Sequence, residues 1–383
     1  MTCRVLHVIG GLRAGGTERQ LYLLLKGMDR KEYSPQVVVW RFQEDDKYVG
    51  QIRELGIPLH YFPCAKSRVA KLSTLRRMVR QIKPEVIHSH SFYTNFAAWW
   101  AAVGTNAIAI GAVRSNFTYE MKTAGPLLSR LSARWPRHQI SNNFLAAETV
   151  RSSRSPFLPA RLSVIRNGVD LQTFQMVPLS TTGRVRILGV GSLLPFKRWD
   201  RLLRAASNLK KKGLDFLVVI AGEGPLRESL EHQARSLGLT DRFKFIGHTD
   251  DIPALLADAR FLAHTSEIEG CPNVVMEAMA CGRAVVAMDA GDIPSLVEEG
   301  RTGFVVHRGD ESTLIERMVT LVIDRNLCRC MGEASRAKAE REFGLDHLVS
   351  ETLAAYRAAG WKNLLLPNAK SMASGAITGA ITF

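Results

Sequence analysis

Residues 266–282 read SEIEGCPNVVMEAMACG, and the runs on either side, RFLAHTS from Arg260 and AVVAM from Ala284, make the stretch a strand, a loop, a helix and a second strand. A loop that carries an apolar strand into a helix, with a further apolar strand beyond, is the repeating unit of a parallel sheet covered on both faces. Two carboxylates, Glu269 and Glu277, stand eight positions apart in this otherwise nearly apolar segment, and charged side chains are rarely buried without a partner. The helix starts at Pro272 or Asn273, so the amides of Gly270, Cys271, Pro272's neighbour Asn273 and Val274 crowd its mouth, where a phosphate is favoured. Glu277, one turn into the helix, is suited to accept hydrogen bonds from the vicinal hydroxyls of a ribose. Glu269, on the loop, is suited to a sugar hydroxyl or a developing positive charge. The helix dipole alone accounts for Glu277 but leaves Glu269 and the GCPN turn unexplained.

Outward from this stretch the alternation continues in both directions. The second half contains VRILGVG, a basic helix from about Arg198, FLVVIAG, PLRESLEHQARSLG, RFKFIG and DIPALLADA; the first half contains RVLHVI, TERQLYLLLKGM, QVVVW, IPLHYF, EVIHSH, FAAWWAA and AIAIGAV. This predicts two doubly wound α/β domains with parallel sheets. Between them, VIRNGVDLQTFQMVPLSTTG carries the turn pair Asn167-Gly168 and a breaker-rich run at 178–183, which places the boundary there. The expected domains are 1–175 and 176–345, with a helix over 346–365 returning to the first domain and a structureless tail over 368–383. Ligands of open α/β sheets bind beyond the carboxyl ends of the strands, so two such domains facing one another are expected to enclose a cleft lined by strand-end loops.

The remaining motifs fall at those strand ends. GGLRAGGTERQ, from Gly10 to Gln20, follows the opening strand; its glycines, Gly15 and Gly16 included, permit close approach of backbone to an anion, and Thr17 with Gln20 has the spacing of a capping box. VGSLLPFKRWD, from Val190, sets Lys197 and Arg198 at a helix start, where two cations would neutralise a diphosphate leaving group. AGEGP at 221–225 surrounds Glu223 with two glycines. His88 and His90, in IHSHS, end a strand, one of them expected to point toward the ligand and the other across the sheet.

The formal net charge of +15 is unevenly placed: residues 1–175 hold 25 Lys+Arg against 11 Asp+Glu, and the remainder 26 against 25. The first half is therefore expected to face an anionic partner. Much of the excess lies in KSRVAKLSTLRRMVRQIK at 66–83, where Val69, Leu72, Leu75, Val79 and Ile82 are expected to share the buried face, and in Arg114 to Arg137. These cations are expected to rest on the anionic inner face of a membrane. The six cysteines show neither a CxxC pair nor a Cys/His cluster, so no disulfide framework or zinc site is expected. No run approaches the roughly 18 apolar residues of a membrane span, and no signal peptide is read. A cytoplasmic location, peripheral to the membrane, is expected.

The pattern resembles the retaining, nucleotide-sugar-dependent glycosyltransferases of family 4, group 1, which have the GT-B fold of two Rossmann-like domains facing across a cleft. The resemblance rests on the Glu-x7-Glu pattern of Glu269 and Glu277 within EGCPNVVMEAMACG. NGVD (167–170), GSLLPFK (191–197), GEGP (222–225) and AGDIPSLVEEGRTGFVV (290–306) accompany it in order. It implies Lys197 on the donor diphosphate, Glu277 on the ribose, Glu269 on the transferred sugar, the 270–273 amides over the phosphates, and Gly15 and Gly16 closing on the diphosphate. Three positions depart from the family pattern. Ser192 stands where Arg is common, with Arg198 a substitute cation; Arg114 stands where His is frequent and so is no base; Ala284 replaces a common Pro. The implied activity is that of a hexosyltransferase-type glycosyltransferase, passing sugar from a donor, expected to be a UDP-sugar, to a hydroxyl of a lipid-linked or polysaccharide acceptor with retention. Glu269, His90 and Arg114 are its candidate catalytic residues, and no metal or other cofactor is expected. The alternatives are a sugar-nucleotide epimerase on the same architecture and a noncatalytic basic nucleotide- or nucleic-acid-binding protein. The aromatics among the cations (Phe117, Tyr119, Trp135) are too isolated to favour nucleic acid.

Overall fold

The apolar runs form strands in a computed structural model that describes residues 2–63, 67–362 and 381–382. Thirteen of these strands divide between two units: residues 1–168 with the helix Leu345–Ala358, and residues 169–344. In the N-terminal unit the strands are β1 (Cys3–Ile9), β2 (Tyr33–Val39), β3 (Leu59–His60), β4 (Val86–Ser89), β5 (Ile108–Val113), β6 (His138–Ser141) and β7 (Arg161–Val164). Those of the second unit are β8 (Val185–Val190), β9 (Phe216–Ala221), β10 (Phe243–Gly247), β11 (Phe261–His264), β12 (Ala284–Met288) and β13 (Gly303–Val306). A last pair, β14 (Ile381–Thr382), joins β7 antiparallel. The rest of the expected structureless tail lies outside the described residues; at Ile381–Thr382 the chain is an edge strand instead.

The N-terminal sheet has the order β14-β7-β6-β5-β4-β1-β2-β3 and the second sheet β10-β9-β8-β11-β12-β13. In the first, the chain lays β2 and β3 outward from β1, then returns to place β4 on the opposite side of β1. In the second, β9 and β10 lead away from β8 and β11 returns to its other side. Each reversal leaves a crevice beyond the strand ends, between β1 and β4 and between β8 and β11, and these crevices are where open α/β sheets take their ligands.

Helices on both faces explain the near-continuous apolar composition of the strands. Leu6 and Val8 pack with Leu75, Val79 and Ala98 on one side of the N-terminal sheet. Val5 and Val86 pack on the other with Leu24 and Tyr356, from the helices Gly16–Gly27 and Leu345–Ala358. The second sheet is covered likewise, by Leu202, Leu314 and Met318 on one face and by Val275, Met279 and Ala339 on the other. Each fully buried Leu or Phe contributes about 1.5–3 kcal/mol relative to exposure.

Two local expectations are corrected. In the helix Arg68–Ile82, Leu75 and Val79 are buried but Val69 is 74% exposed. Six residues from Leu75, it stands about 120° round the helix from it. The helix after β1 begins at Gly16 with Gly15 at its cap and no side-chain capping bond, so Thr17 and Gln20 form no capping box. The Gln20 amide instead meets Gly168 twice, donating from Nε2 to the carbonyl (3.1 Å) and accepting at Oε1 from the N–H (2.6 Å).

Candidate active site

In the second unit, the loops after β8 and β11 flank the reversal and are stitched together by backbone. Glu267 N–H donates to Phe196 O at 2.8 Å, and Thr265 Oγ1 donates to Lys197 O at 3.0 Å. This brings Lys197, at the end of a single 3₁₀ turn (Pro195–Lys197), to Glu269: Nζ lies 2.6 Å from Oε1, with the side chains 16% and 11% exposed. His264, the last residue of β11, puts Nε2 3.1 Å from the same oxygen, close enough to act on its charge but not aligned as a hydrogen bond. Burial alone would push the Glu269 carboxyl up. His264 and then Lys197 outweigh it and hold the group at about 2, so the carboxylate is ionised throughout the physiological range.

The helix Asn273–Ala280 starts directly beyond, with Pro272 at its cap and no side-chain capping bond. Glu277 is on this helix, 3% exposed. The 269–270 loop is held from outside by the turn at Gly291, where φ is +59° and a Cβ would fall 2.6 Å from Gly270 O and closer still to Glu269 O. Asp292 N–H donates to Gly270 O at 3.0 Å. Only glycine allows that approach. Cys271 lies on the loop with its thiol 3.5 Å from Met276 Sδ, inside the helix's own first turns.

Two residues assigned to the donor from sequence are occupied elsewhere. Arg198 adopts φ +51° at the cap of the helix Trp199–Lys211, and its guanidinium pairs with Asp200 (3.0 Å) and with Glu267, which also receives Arg201 at 2.5 Å. Its charge is thus met locally by two carboxylates. Glu223 turns its half-exposed carboxylate to Arg227, 2.8 Å away. The backbone around Glu223 acts instead as a strut, since Leu193 N–H donates to Glu223 O (2.9 Å) and a Cβ on Gly224 would meet Leu193 N at 2.7 Å. The GEGP glycines therefore let the loop after β9 lie flat on the loop that presents Lys197.

The reversal in the N-terminal unit is built of different groups. His7 on β1 and His88 on β4 are register partners. His88 and His90, two apart, project to the same side, with ring centroids 4.0 Å apart. The expectation that they point oppositely is overturned, because side chains alternate with a period of two and residues i and i+2 share a face. His90 Nε2 lies 2.9 Å from His7 Nδ1, its Nδ1 lies 3.3 Å from the Arg114 guanidinium, and His88 Nδ1 lies 2.9 Å from the Tyr356 hydroxyl. Burial, reinforced by the neighbouring imidazoles and Arg114, drives His88 and His90 well below the ordinary histidine range, and burial with Arg30 takes His7 to about 3. All three are neutral at pH 7. Burial also lowers Arg114, offset by Glu120 and Glu18, to about 10, which leaves it a cation. Gly15 and Gly16 open their helix beside this cluster, but the Glu18 carboxylate folds against Gly15, so an anion approaching those amides meets an acidic neighbour.

Among the described residues, His7, His88 and His90 are the one group whose metal-type ligand atoms converge, within 4.8 Å of one another. The guanidinium beside His90 opposes a second cation there, and the His7–His90 hydrogen bond occupies one nitrogen of each of those two rings. Sequence reading singled out His90 and Arg114 but missed His7 and His264. Both were legible as histidines inside apolar strands, where a buried imidazole requires a nearby polar group.

Two family models match the chain in tandem: "Glycosyltransferase Family 4" over residues 14–173 and "Glycosyl transferases group 1" over residues 173–338. A Campylobacter jejuni protein named as an alpha-1,4-N-acetyl-D-galactosaminyltransferase acting on a GalNAc-containing diNAcBac-PP-undecaprenol is 24% identical over 91% of this chain and 97% of its own length. The putative glycosyltransferase EpsF of Bacillus subtilis is 27% identical over 75% of this chain and 79% of its own. An uncharacterised Haemophilus influenzae glycosyltransferase is 30% identical, the match spanning about half of each chain (47% and 48%). In three dimensions the fold is that of Anabaena HepE, solved with UDP, at TM-score 0.77 and 20% identity over 93% of this chain and 100% of that one.

Proposed function

Because the chain belongs to the family 4, group 1 glycosyltransferases, we propose that it moves a hexosyl unit from a nucleotide-sugar donor, a UDP-sugar, to a hydroxyl of a lipid-linked or polysaccharide acceptor. The observation that carries this reading is the Lys197–Glu269 pair at the β8/β11 reversal, set against the uncapped start of the helix Asn273–Ala280. The diphosphate takes the Lys197 ammonium and the amides at the helix start, exchanging one anionic partner for another. Glu269, released from the ammonium but already ionised, holds the sugar. Glu277 holds the ribose from within the same helix. As the bond between the anomeric carbon and the phosphate oxygen breaks, charge gathers on the diphosphate, where Lys197 and the amides are fixed in advance. The acceptor oxygen bonds to the anomeric carbon on the face just vacated, and its proton passes to the departing phosphate, which retains configuration. These fixed donors do the electrostatic work that a divalent cation does in other transferases, so no metal is required.

Two named proteins support the choice of substrates: HepE was solved with UDP, and the Campylobacter relative uses a lipid-diphosphate saccharide. In the N-terminal unit we assign Arg114 and His90 to the acceptor or sugar hydroxyls, with Arg114 donating and His90, neutral, donating or accepting. The basic excess of that half is read as an attraction to anionic membrane surface; among the described residues no helix is long and apolar enough to cross a membrane. A melting-temperature panel of UDP-, GDP- and ADP-sugars tests the donor: a UDP-sugar raises the midpoint, since a ligand that binds only the native state stabilises it. No response to any nucleotide sugar sinks the reading, and isomerised sugar nucleotide without acceptor transfers it to an epimerase.

A further inference from the structure

Beside the N-terminal reversal lies a groove of about 910 Å³ between the start of the helix Arg68–Ile82 and the helices Phe117–Thr123 and Pro126–Arg134. Its walls have two chemistries. One end is cationic: Lys71 Nζ donates to Trp40 O at 2.6 Å and sits 5.6 Å from the Trp40 ring centre, while the Arg41 guanidinium lies 5.2 Å from the Tyr93 ring. Among the described residues neither cation has a carboxylate in ion-pair reach. The acid on the wall, Glu120, is turned away, its Oε1 accepting from the Arg114 and Ser115 amides at 3.2 Å each. Burial and the neighbouring Arg41 lower the affinity of Lys71 for its proton, as expected of two like charges side by side without a counter-ion. The other end is aliphatic and aromatic, with Phe96, Leu127, Leu128 and Leu131. Leu127 is 71% exposed on its rim.

An unpaired cation pair draws a multiply charged anion, and an open leucine wall draws hydrocarbon. A free oligosaccharide offers neither, and a nucleotide offers only the first. Both in one groove describe an amphiphile whose phosphates adjoin its apolar chain. The groove also adjoins the reaction side of its unit: Phe92, on its wall, follows His90 by two residues, and Glu120 fixes the Arg114 backbone.

We infer that this groove holds the acceptor as a polyprenyl diphosphate, with Arg41 and Lys71 on the diphosphate and the leucine wall against the first isoprene units. The inference rests on the transferase reading above, and its test separates the two. Binding of farnesyl diphosphate to the full chain, measured by calorimetry without any donor, reads the groove alone. Arg41→Ala with Lys71→Ala weakens it at least about tenfold, the loss of one or two charge-assisted contacts. Leu127→Ser, at an exposed position that tolerates the change, weakens it about threefold. The UDP-sugar melting shift stays at its wild-type size in both variants. In transfer assays, the doubly substituted enzyme shows a raised KM for a saccharide on farnesyl diphosphate and an unchanged KM for the same saccharide on an uncharged decyl chain. Equal wild-type affinity for farnesyl diphosphate and inorganic pyrophosphate overturns the amphiphile. Farnesyl diphosphate binding unaffected by the double substitution overturns the site. If phosphatidylglycerol vesicles lose their hold on the variant while farnesyl diphosphate does not, the groove is a membrane contact and the inference is wrong.

Discussion

The two units repeat one topology and treat its reversal point in opposite ways. Between β8 and β11 the chain places a full ion pair, Lys197 with Glu269, partly open to solvent and held by a glycine-dependent turn. Between β1 and β4 it places three neutral, desolvated imidazoles, with His7 hydrogen-bonded to His90, His90 to a single guanidinium and His88 to Tyr356. The first arrangement is poised to exchange charge with an incoming anion. The second has almost no charge to exchange; it can orient hydroxyls and hold one positive point. A shared fold fixes where a ligand comes, and the charge state of the side chains fixes which ligand.

The hardest blow to this contrast is Lys197→Ala. It removes the cation proposed for the diphosphate and leaves Glu269 buried beside His264 alone, so transfer is expected to fall by about 10² to 10³ in kcat/KM, with the UDP-sugar melting shift lost as well. Steady-state kinetics beside wild type check this; a drop under about fivefold would place the diphosphate elsewhere.

Acid separates the units next. A buried histidine held below its ordinary pKa stabilises the fold fully above about 6.5 and loses that contribution as pH falls toward the folded value, about 3 for His7 and about 4 for His138. A carboxylate held low works in a lower window: Glu269 contributes fully above its ordinary 4.5 and loses it as pH falls toward about 2. The N-terminal unit should therefore loosen first, between about pH 6 and 4.5. Hydrogen exchange resolved by peptide follows both units at once, and simultaneous loss of protection, or earlier loss in residues 169–344, would contradict the assignment. Glu269→Gln should flatten only the lower limb.

The smallest effect is expected at Glu223→Ala. Its carboxylate is half exposed and committed to Arg227, a pair worth at most about 1 kcal/mol, so the donor KM should move less than about fivefold. A larger change would return the side chain to the donor site.

These particular residues also show how far the sequence could be read. Lys197 and Glu269 were legible because each follows an apolar run at a strand end, flanked by glycine or proline, and charged residues in such places need a reason. Strand order was not read from the sequence, because it depends on pairing between distant strands, β1 with β4 and β8 with β11. Glu223 pairs with Arg227 only four positions on, but the neighbours of Arg198 along the chain do not reveal which distant acid will claim it. Glu267, 69 positions from Arg198, does so here. Val69 misled for a geometric reason, since a helical stripe extrapolated over two turns drifts off the buried face.

What the sequence determined alone is the alternation of strand and helix, the division into two domains, and the residue types at the strand ends. These depend on local periodicity and on backbone freedom at glycine, which neighbouring residues encode. The tertiary structure alone decided that three histidines from two strands form one neutral cluster, that two loops lock Lys197 onto Glu269, and that Arg41 and Lys71 share a groove with exposed leucines. Charge state and pairing are long-range properties, set by burial and by groups tens or hundreds of residues away.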